Sequence, residues 1–99
     1  MLKASLAFKV QKRDNFICQY CGKDGLASLE NWHDCVVDHF IPDEGDIETN
    51  LITSCHYCNA IKGPKVFKNI QDAREYIKNR KIQLNQNYQK VAKEIRGVV

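Results

Sequence analysis

The chain has 99 residues, with 15 Lys/Arg and 12 Asp/Glu, and a formal net charge of +3. This length predicts one domain with a modest core, which a structural metal would help to stabilise. No apolar run approaches membrane-spanning length, and the first nine residues are too interrupted by lysine for a secretory signal. These features argue against a membrane protein and predict an intracellular, cytoplasmic one.

The charges fall into three blocks. Residues 1–23 carry five Lys/Arg and one Asp, residues 24–50 carry eight Asp/Glu and no Lys/Arg, and residues 51–99 carry ten Lys/Arg and three Asp/Glu. Basic segments suit contact with a phosphate backbone, and an acidic centre suits a divalent cation. Solvated surface is the alternative interpretation, because charge blocks alone do not define a site.

The first predicted element is an amphipathic helix over residues 2–13, where apolar side chains recur at intervals of four: Leu2, Leu6 and Val10. A tight turn follows over residues 18–22, where two cysteines are two residues apart and a glycine comes next. We expect a loop over residues 23–34, with local packing of Leu29 and Trp32.

Two strands are predicted over residues 35–39 and 51–54, separated by an acidic loop that contains Pro42 and Gly45. The spacing of Cys55 and Cys58 indicates a helix over residues 55–61, which Gly63 and Pro64 end.

The C-terminal third predicts helix, because no glycine or proline occurs between residues 65 and 96. We expect helices near 69–80 and 85–97, separate or fused, with Asn69 as a cap and a break at residues 85–87. Apolar residues at heptad spacing form a seam in the second part: Leu84, Tyr88, Val91, Ile95 and Val98. The seam is expected to fold back over the small core, and a dimer interface is the alternative.

Four cysteines form two pairs with the same two-residue gap: Cys18, Cys21, Cys55 and Cys58. Four thiolates complete a tetrahedral zinc shell and leave no position for water, so the pattern predicts a structural Zn²⁺. Two disulfides or buried thiols are the alternatives. Cys35 is left over, and its place at the start of an apolar strand suggests a small buried hydrophobic residue.

Several short segments resemble the HNH endonuclease family and occur in its order. They are Arg13-Asp14, Cys18-Gln19-Tyr20-Cys21-Gly22, Val37-Asp38-His39-Phe40-Ile41-Pro42, Asn50-Leu51, Cys55-His56-Tyr57-Cys58-Asn59 and Lys62-Gly63. Each segment alone is weak, but the combination is specific. The resemblance implies an α+β fold. One domain over residues 1–99 would comprise a zinc-stapled ββα-metal core at about 13–63, an N-terminal helix and a helical extension at about 65–99.

The resemblance also implies the roles of four polar residues. His39 maps to the general base, Asp38 to a ligand of the catalytic metal, Asn50 to the residue that orients the histidine, and Asn59 to a second ligand. A neutral imidazole can accept a proton near neutral pH, and carboxylate and amide oxygens suit Mg²⁺, with Mn²⁺ or Ni²⁺ as alternatives. A regular strand points Asp38 and His39 to opposite faces, so one site needs the strand to end or twist there.

The remaining candidates are basic residues and one further histidine. Clustered cations of the C-terminal half are predicted to contact DNA phosphates: Lys62, Lys65, Lys68, Arg74, Lys78, Arg80 and Lys81. His56 precedes Asn59 by three residues and is a possible contact to phosphate or metal.

Together these features predict a metal-dependent DNA endonuclease that hydrolyses phosphodiester bonds. The alternatives are a catalytically inactive, zinc-stabilised DNA-binding module and a protein-interaction module built on the seam. One Asp-His pair per chain predicts a nicking enzyme, and a monomer is favoured over a homodimer because the seam is expected to pack within the chain.

Overall fold

The computed structural model describes residues 2–97 and has the predicted α+β architecture. The elements in chain order are helix α1 (Ala4–Arg13), helix α2 (Leu29–His33), strand β1 (Cys35–His39), a 3₁₀ helix (Glu48–Asn50), strand β2 (Leu51–Cys55), helix α3 (His56–Lys62) and helix α4 (Ile70–Arg96). Within residues 2–97, none of the helices has the length and apolarity that a membrane crossing requires.

The centre of the fold is the β1–β2 hairpin with α3 lying against it. The two strands are antiparallel, with Cys35 opposite Cys55 at one end and His39 opposite Leu51 at the other. Helix α3 follows β2 directly and runs back along the hairpin, since the side chain of Lys62 reaches the carbonyl oxygen of His39. The hairpin therefore has a cysteine end and a histidine end, about 14 Å apart.

The end of α1 is bound to the start of β2 by two charged residues. The Arg13 guanidinium donates to the carbonyl oxygens of Glu48 at 2.9 Å and Leu51 at 2.7 Å. The Asp14 carboxylate accepts a hydrogen bond from the backbone nitrogen of Thr53 at 2.9 Å. These two residues of the family resemblance therefore act as a brace for the hairpin.

Helix α2 was not expected, because residues 23–34 carry turn-forming residues and no clear apolar period. It is one short turn of helix capped by Ser28, whose hydroxyl accepts from the backbone nitrogen of Asn31 at 3.0 Å. The predicted local packing of Leu29 is wrong, since its side chain is largely exposed; Trp32 is also half-exposed but packs edge-on against the His33 ring, with ring centres 5.5 Å apart.

Helix α4 is one continuous helix, capped as predicted by Asn69, whose side-chain oxygen accepts from the nitrogen of Asp72 at 2.9 Å. The predicted break at residues 85–87 does not occur. Asparagine and glutamine lower helix propensity only slightly, and none of the three residues removes a backbone donor as proline would.

The two halves of α4 have different surroundings. Ala73 and Ile77 are buried in the core beside Cys18, Tyr20 and Cys58. The seam farther along was expected to fold back over this core, and that prediction is wrong. Tyr88, Val91 and Ile95 are 66%, 57% and 71% exposed. A straight helix continues along its own axis, so it carries these residues past the edge of the domain. Val98, the last predicted seam residue, lies outside the described residues.

Candidate active site and zinc centre

The four paired cysteines meet at the cysteine end of the hairpin. Cys18 and Cys21 belong to a tight turn in which the nitrogen of Gly22 donates to the carbonyl oxygen of Cys18 at 2.8 Å. Cys55 ends β2, and Cys58 lies in the first turn of α3. The four sulfurs all lie within 4.8 Å of one another, and Cys21 Sγ is 3.8 Å from Cys55 Sγ.

These distances fit a structural zinc ion. A tetrahedron with zinc–sulfur bonds of about 2.3 Å has sulfur–sulfur edges of about 3.8 Å. The hydrogen bond with Cys58 lowers the pKa of Cys18 to about 4, while that same bond, together with burial, raises the pKa of Cys58. Since four adjacent thiolates repel one another without a cation, the cluster needs a metal to carry four ionised sulfurs. All five cysteines are free of disulfides, and the half-buried Cys35 lies outside the cluster.

Lys81, predicted as a DNA contact, faces this cluster. Burial opposes its charge, but a hydrogen bond to the Cys58 sulfur and the charges of the neighbouring cysteines together outweigh burial and raise the pKa of Lys81. Its ammonium also lies 5.0 Å from the centre of the Tyr57 ring. A lysine in this position offsets part of the negative charge of the sulfurs and links α4 to the zinc centre, a role that the sequence did not indicate.

At the other end of the hairpin, Asp38 points inward. One carboxylate oxygen, Oδ2, accepts a 2.5 Å hydrogen bond from the Tyr20 hydroxyl and lies 3.2 Å from the ammonium of Lys62. Burial, together with this hydrogen bond, raises the pKa of Tyr20, which stays protonated as a donor. The other oxygen, Oδ1, makes no hydrogen bond to any residue between 2 and 97 and is not among the buried atoms that lack a partner, so solvent reaches it.

Lys62 was predicted as a phosphate contact, yet its side chain is fully buried. Its ammonium lies 3.3 Å from the carbonyl oxygen of His39 and 3.5 Å from that of Gly63, as well as near Asp38. A buried ammonium is stable only when it is paired in this way. Lys62 therefore holds α3 against the end of β1 and has no exposed surface for DNA here.

His39 has different neighbours from Asp38. Its ring nitrogen Nε2 lies 2.6 Å from a carboxylate oxygen of Asp46, and its side chain is 35% exposed. An ionised carboxylate can only accept, so in the neutral imidazole this contact places the proton on Nε2 and leaves a lone pair on Nδ1. Asp46 belongs to the acidic loop, and nothing in the sequence marked it out from the other acids there.

Asn50 organises the loop rather than contacting the histidine ring. Its side-chain oxygen accepts from the nitrogen of Ile41 at 2.9 Å, and its amide donates to the carbonyl oxygens of Ile41 at 3.0 Å and Gly45 at 3.2 Å. These three bonds close the segment between the strands. They fix the position of Asp46, and so they affect His39 only through the loop.

The two remaining site candidates on α3, Asn59 and His56, lie at different distances from the His39 end of the hairpin. Asn59 is half-buried and lies one turn before Lys62 on α3, on the face that turns toward Asp38. Its side chain makes no hydrogen bond within the described part of the chain, which leaves the amide oxygen available. His56 is exposed and begins α3 at the cysteine end, about 9 Å along the axis from Lys62, so the structure does not bring it to the His39 end.

The other predicted DNA contacts lie on the surface. Arg74 and Lys78 line an open groove of about 840 Å³ between α4 and the turn at Tyr20 and Cys21. Arg80 is directed elsewhere, two residues farther along the helix, and donates to the side chain of Gln83 at 3.0 Å. Lys65 and Lys68 are exposed between α3 and α4, with the ammonium of Lys65 5.1 Å from the ring centre of Tyr76.

The comparison with protein families agrees with this site. Residues 18–65 match the family described as HNH endonuclease, a span that holds the cysteine cluster, the hairpin and α3. This match to an HNH endonuclease domain covers just under half of the chain. No curated protein and no solved structure matches the chain. The family resemblance recognised from the sequence is confirmed over residues 18–65, and it points to a nuclease or DNA-binding role in general.

Zinc content provides the first prediction. Cys55→Ser should lose stoichiometric zinc and the folded state, because metal binding supplies folding free energy. Cys35→Ser should keep one tightly bound zinc per chain, because Cys35 lies outside the cluster. Metal analysis after dialysis and circular dichroism measure both properties. A folded, zinc-free native protein would contradict the assignment.

The second prediction concerns the buried pair. Asp38→Ala should lower the free energy of unfolding by about 3–5 kcal/mol, because it leaves the Lys62 ammonium buried without its partner. The double change Asp38→Asn with Lys62→Met should recover most of that loss, since no buried charge remains. Urea unfolding of the zinc-loaded proteins gives the values. Equal stability of Asp38→Ala and the native chain would show that Lys62 does not depend on this carboxylate.

Proposed function

We propose that this protein is a metal-dependent DNA endonuclease that nicks one strand at each HNH site. The observation that carries the proposal is the position of His39: a partly exposed imidazole at the end of β1 that Asp46 holds through Nε2 and whose Nδ1 makes no hydrogen bond to residues 2–97. Such a group can act as a general base near neutral pH. The match to the HNH endonuclease family and the cations Arg74 and Lys78 in the groove support nucleic acid as the substrate.

In this proposal Nδ1 of His39 takes the proton from the attacking water. Asp46 is a positioning residue that fixes the tautomer and stabilises the imidazolium formed, by the logic of a His–carboxylate pair. Asn50 contributes by holding the loop that carries Asp46. A chain of hydrogen bonds from Asn50 to the loop and from Asp46 to the ring thus sets the direction of the base.

Asp38 and Asn59 are the residues we propose to hold a divalent ion. The donor set fits, because Asp38 Oδ1 and the Asn59 amide oxygen are hard ligands without competing hydrogen bonds among residues 2–97. When bound, Mg²⁺ or a similar ion would neutralise charge on the phosphate and on the leaving oxygen. Tyr20 and Lys62 hold the second oxygen of Asp38, so the carboxylate is already oriented.

DNA contact is proposed for the surface cations rather than for the buried ones. Arg74 and Lys78 line the groove, and Lys65 and Lys68 lie in the exposed segment that joins α3, with its active-site residues, to α4. The zinc-facing Lys81 and the buried Lys62 are assigned structural roles instead. Phosphate contacts by the four exposed cations would give affinity with little sequence preference.

A second candidate function is a zinc-stabilised DNA-binding module without catalysis. The specific observation in its favour is that both residues of the Asp-His pair already have charged partners within the chain. Asp38 is paired with Lys62, and His39 is paired with Asp46. In that case the same contacts serve stability alone. Activity measurements decide between the two functions.

The third prediction tests catalysis. His39→Ala should lower the rate of supercoiled-plasmid nicking in Mg²⁺ or Mn²⁺ by roughly 10²–10⁴-fold, because it removes the general base. His56→Ala is the matched control, since that histidine lies at the cysteine end and should leave the rate unchanged. Plasmid nicking is followed on agarose gels with zinc-loaded proteins of equal helicity. Undiminished nicking by His39→Ala would exclude His39 as the base, and a native chain inactive with every divalent ion would favour the binding module.

The fourth prediction separates two neighbouring cations. In the His39→Ala background, Lys78→Ala should weaken duplex binding and lower the slope of log affinity against log salt by about one. Arg80→Ala should change neither value, because its guanidinium points away from the groove. Fluorescence anisotropy at several salt concentrations measures both. Equal effects of the two substitutions would mean that the groove is not the contact surface.

A further inference from the structure

The exposed apolar seam of α4 is a surface feature that the proposed nuclease site does not use. Tyr88, Val91 and Ile95 project from the same side of the helix as Ala73 and Ile77, which are buried in the core. The first half of this stripe is covered by the domain, and the second half, beyond the half-buried Leu84, is not. A contiguous exposed apolar stripe of this kind marks an interaction surface.

The charges around the seam are arranged for pairing between helices. In heptad notation, Leu84 and Val91 occupy position d, and Tyr88 and Ile95 occupy position a. The three cations that follow Lys81 in the helix all lie at outer positions: Lys90 at c, Lys93 at f and Arg96 at b. The flanking e and g positions are Asn85, Asn87, Ala92 and Glu94, which include no cation. Two copies can therefore approach along this face without bringing their basic residues together.

The seam is also complementary to itself in one direction. In an antiparallel pair, Leu84 meets Ile95 of the second copy and Tyr88 meets its Val91, so all four residues pair apolar with apolar. In a parallel pair the two domains would lie at the same end of the helices. Each domain already covers the seam face of its own α4 at Ile77, so the two domains would occupy the same space. The antiparallel pair keeps the domains apart, because the partner helix ends at Arg96, opposite Gln83, near the edge of the domain.

We propose that a second copy of this chain covers the seam, through antiparallel pairing of α4 over residues 84–95. Two heptads bury little area, so this dimer is reversible and depends on concentration. It forms without DNA and without the catalytic ion, and it is independent of the proposed nuclease activity.

The geometry of this dimer has a consequence for the products of the nuclease. With a rise of 1.5 Å per residue, pairing centred between residues 89 and 90 separates the two α4 N-termini by about 60 Å. That distance corresponds to about 17 base pairs of duplex DNA. Two sites so far apart cannot make a closely spaced double-strand cut on one helix, so a dimer would still produce single nicks.

Sedimentation velocity of the zinc-loaded chain over a wide concentration range tests the proposal. The mass should rise from one chain toward two as concentration increases. Leu84→Lys and Ile95→Glu should each shift dissociation to at least tenfold higher concentration, because each places two unpaired charges in the dimer seam. Gln89→Glu, a change at an outer position, is the matched control and should leave the mass profile unchanged. Equal helicity by circular dichroism shows that the variants remain folded.

Mixing the two seam variants tests the direction of pairing. In an antiparallel pair, the lysine introduced at position 84 of one chain would meet the glutamate introduced at position 95 of the other. An equimolar mixture should therefore recover a heterodimer that neither variant forms alone. In a parallel pair these charges never meet, and the mixture should stay monomeric.

Three results would count against these inferences. A native chain that is monomeric at every concentration, or a dimer unaffected by both seam substitutions, would overturn the proposal. A native dimer without recovery in the mixture would overturn the antiparallel arrangement.

Discussion

The cluster of four sulfurs is the constraint on which the rest of the structure depends. It joins the turn at Cys18 and Cys21 to the corner where β2 becomes α3, and Lys81 brings α4 to the same point. The buried apolar core around the cluster is small, and half of its buried members are cysteines. A zinc ion bound here would crosslink these segments and replace hydrophobic area that a chain of this length cannot bury. Because the start of α3 is fixed at the cluster, its last residue is directed to the opposite end of the hairpin, where His39 lies.

The sequence predicted the cluster of four cysteines well, because cysteine spacing is a local property. A two-residue gap positions two sulfurs whatever surrounds them, and two such gaps leave few alternatives to zinc. The hairpin and α3 were also predictable, since turn residues and β-branched residues mark their limits. Asp38 and His39 have different partners, Asp38 with Tyr20 and Lys62 and His39 with Asp46, and β1 ends at His39, where one site requires the regular strand to stop. The position of His39 at the end of β1 followed from its place in the motif.

What the sequence could not predict depends on long side chains and distant segments. Lys62 and Lys78 look alike as lysines in a basic helical region, yet one is buried against Asp38 and the other lines a groove. Their difference arises from where α3 and α4 meet the hairpin, which no local pattern encodes. Asp46 is one of several acids in a loop, and only the closure of that loop by Asn50 selects it. The expectation that the α4 seam packs on the core of its own domain was wrong for a related reason. A heptad seam indicates that one face of a helix will be covered, but it does not indicate which partner covers that face.

The buried charges explain how one small domain can combine a rigid scaffold with a polar site. An isolated buried lysine would be costly, and an isolated buried aspartate equally so, but together with Tyr20 they satisfy one another. The pair spans the junction of β1 and α3, so it fixes the same two elements that carry His39 and Asn59. Among residues 2–97, hydrogen bonds and the ion pair engage only Oδ2 of Asp38, and solvent reaches Oδ1. The ion pair that stabilises the histidine end therefore also orients Asp38 as the ligand that the proposed chemistry requires. Oδ2 of this side chain serves stability, and Oδ1 serves the proposed function.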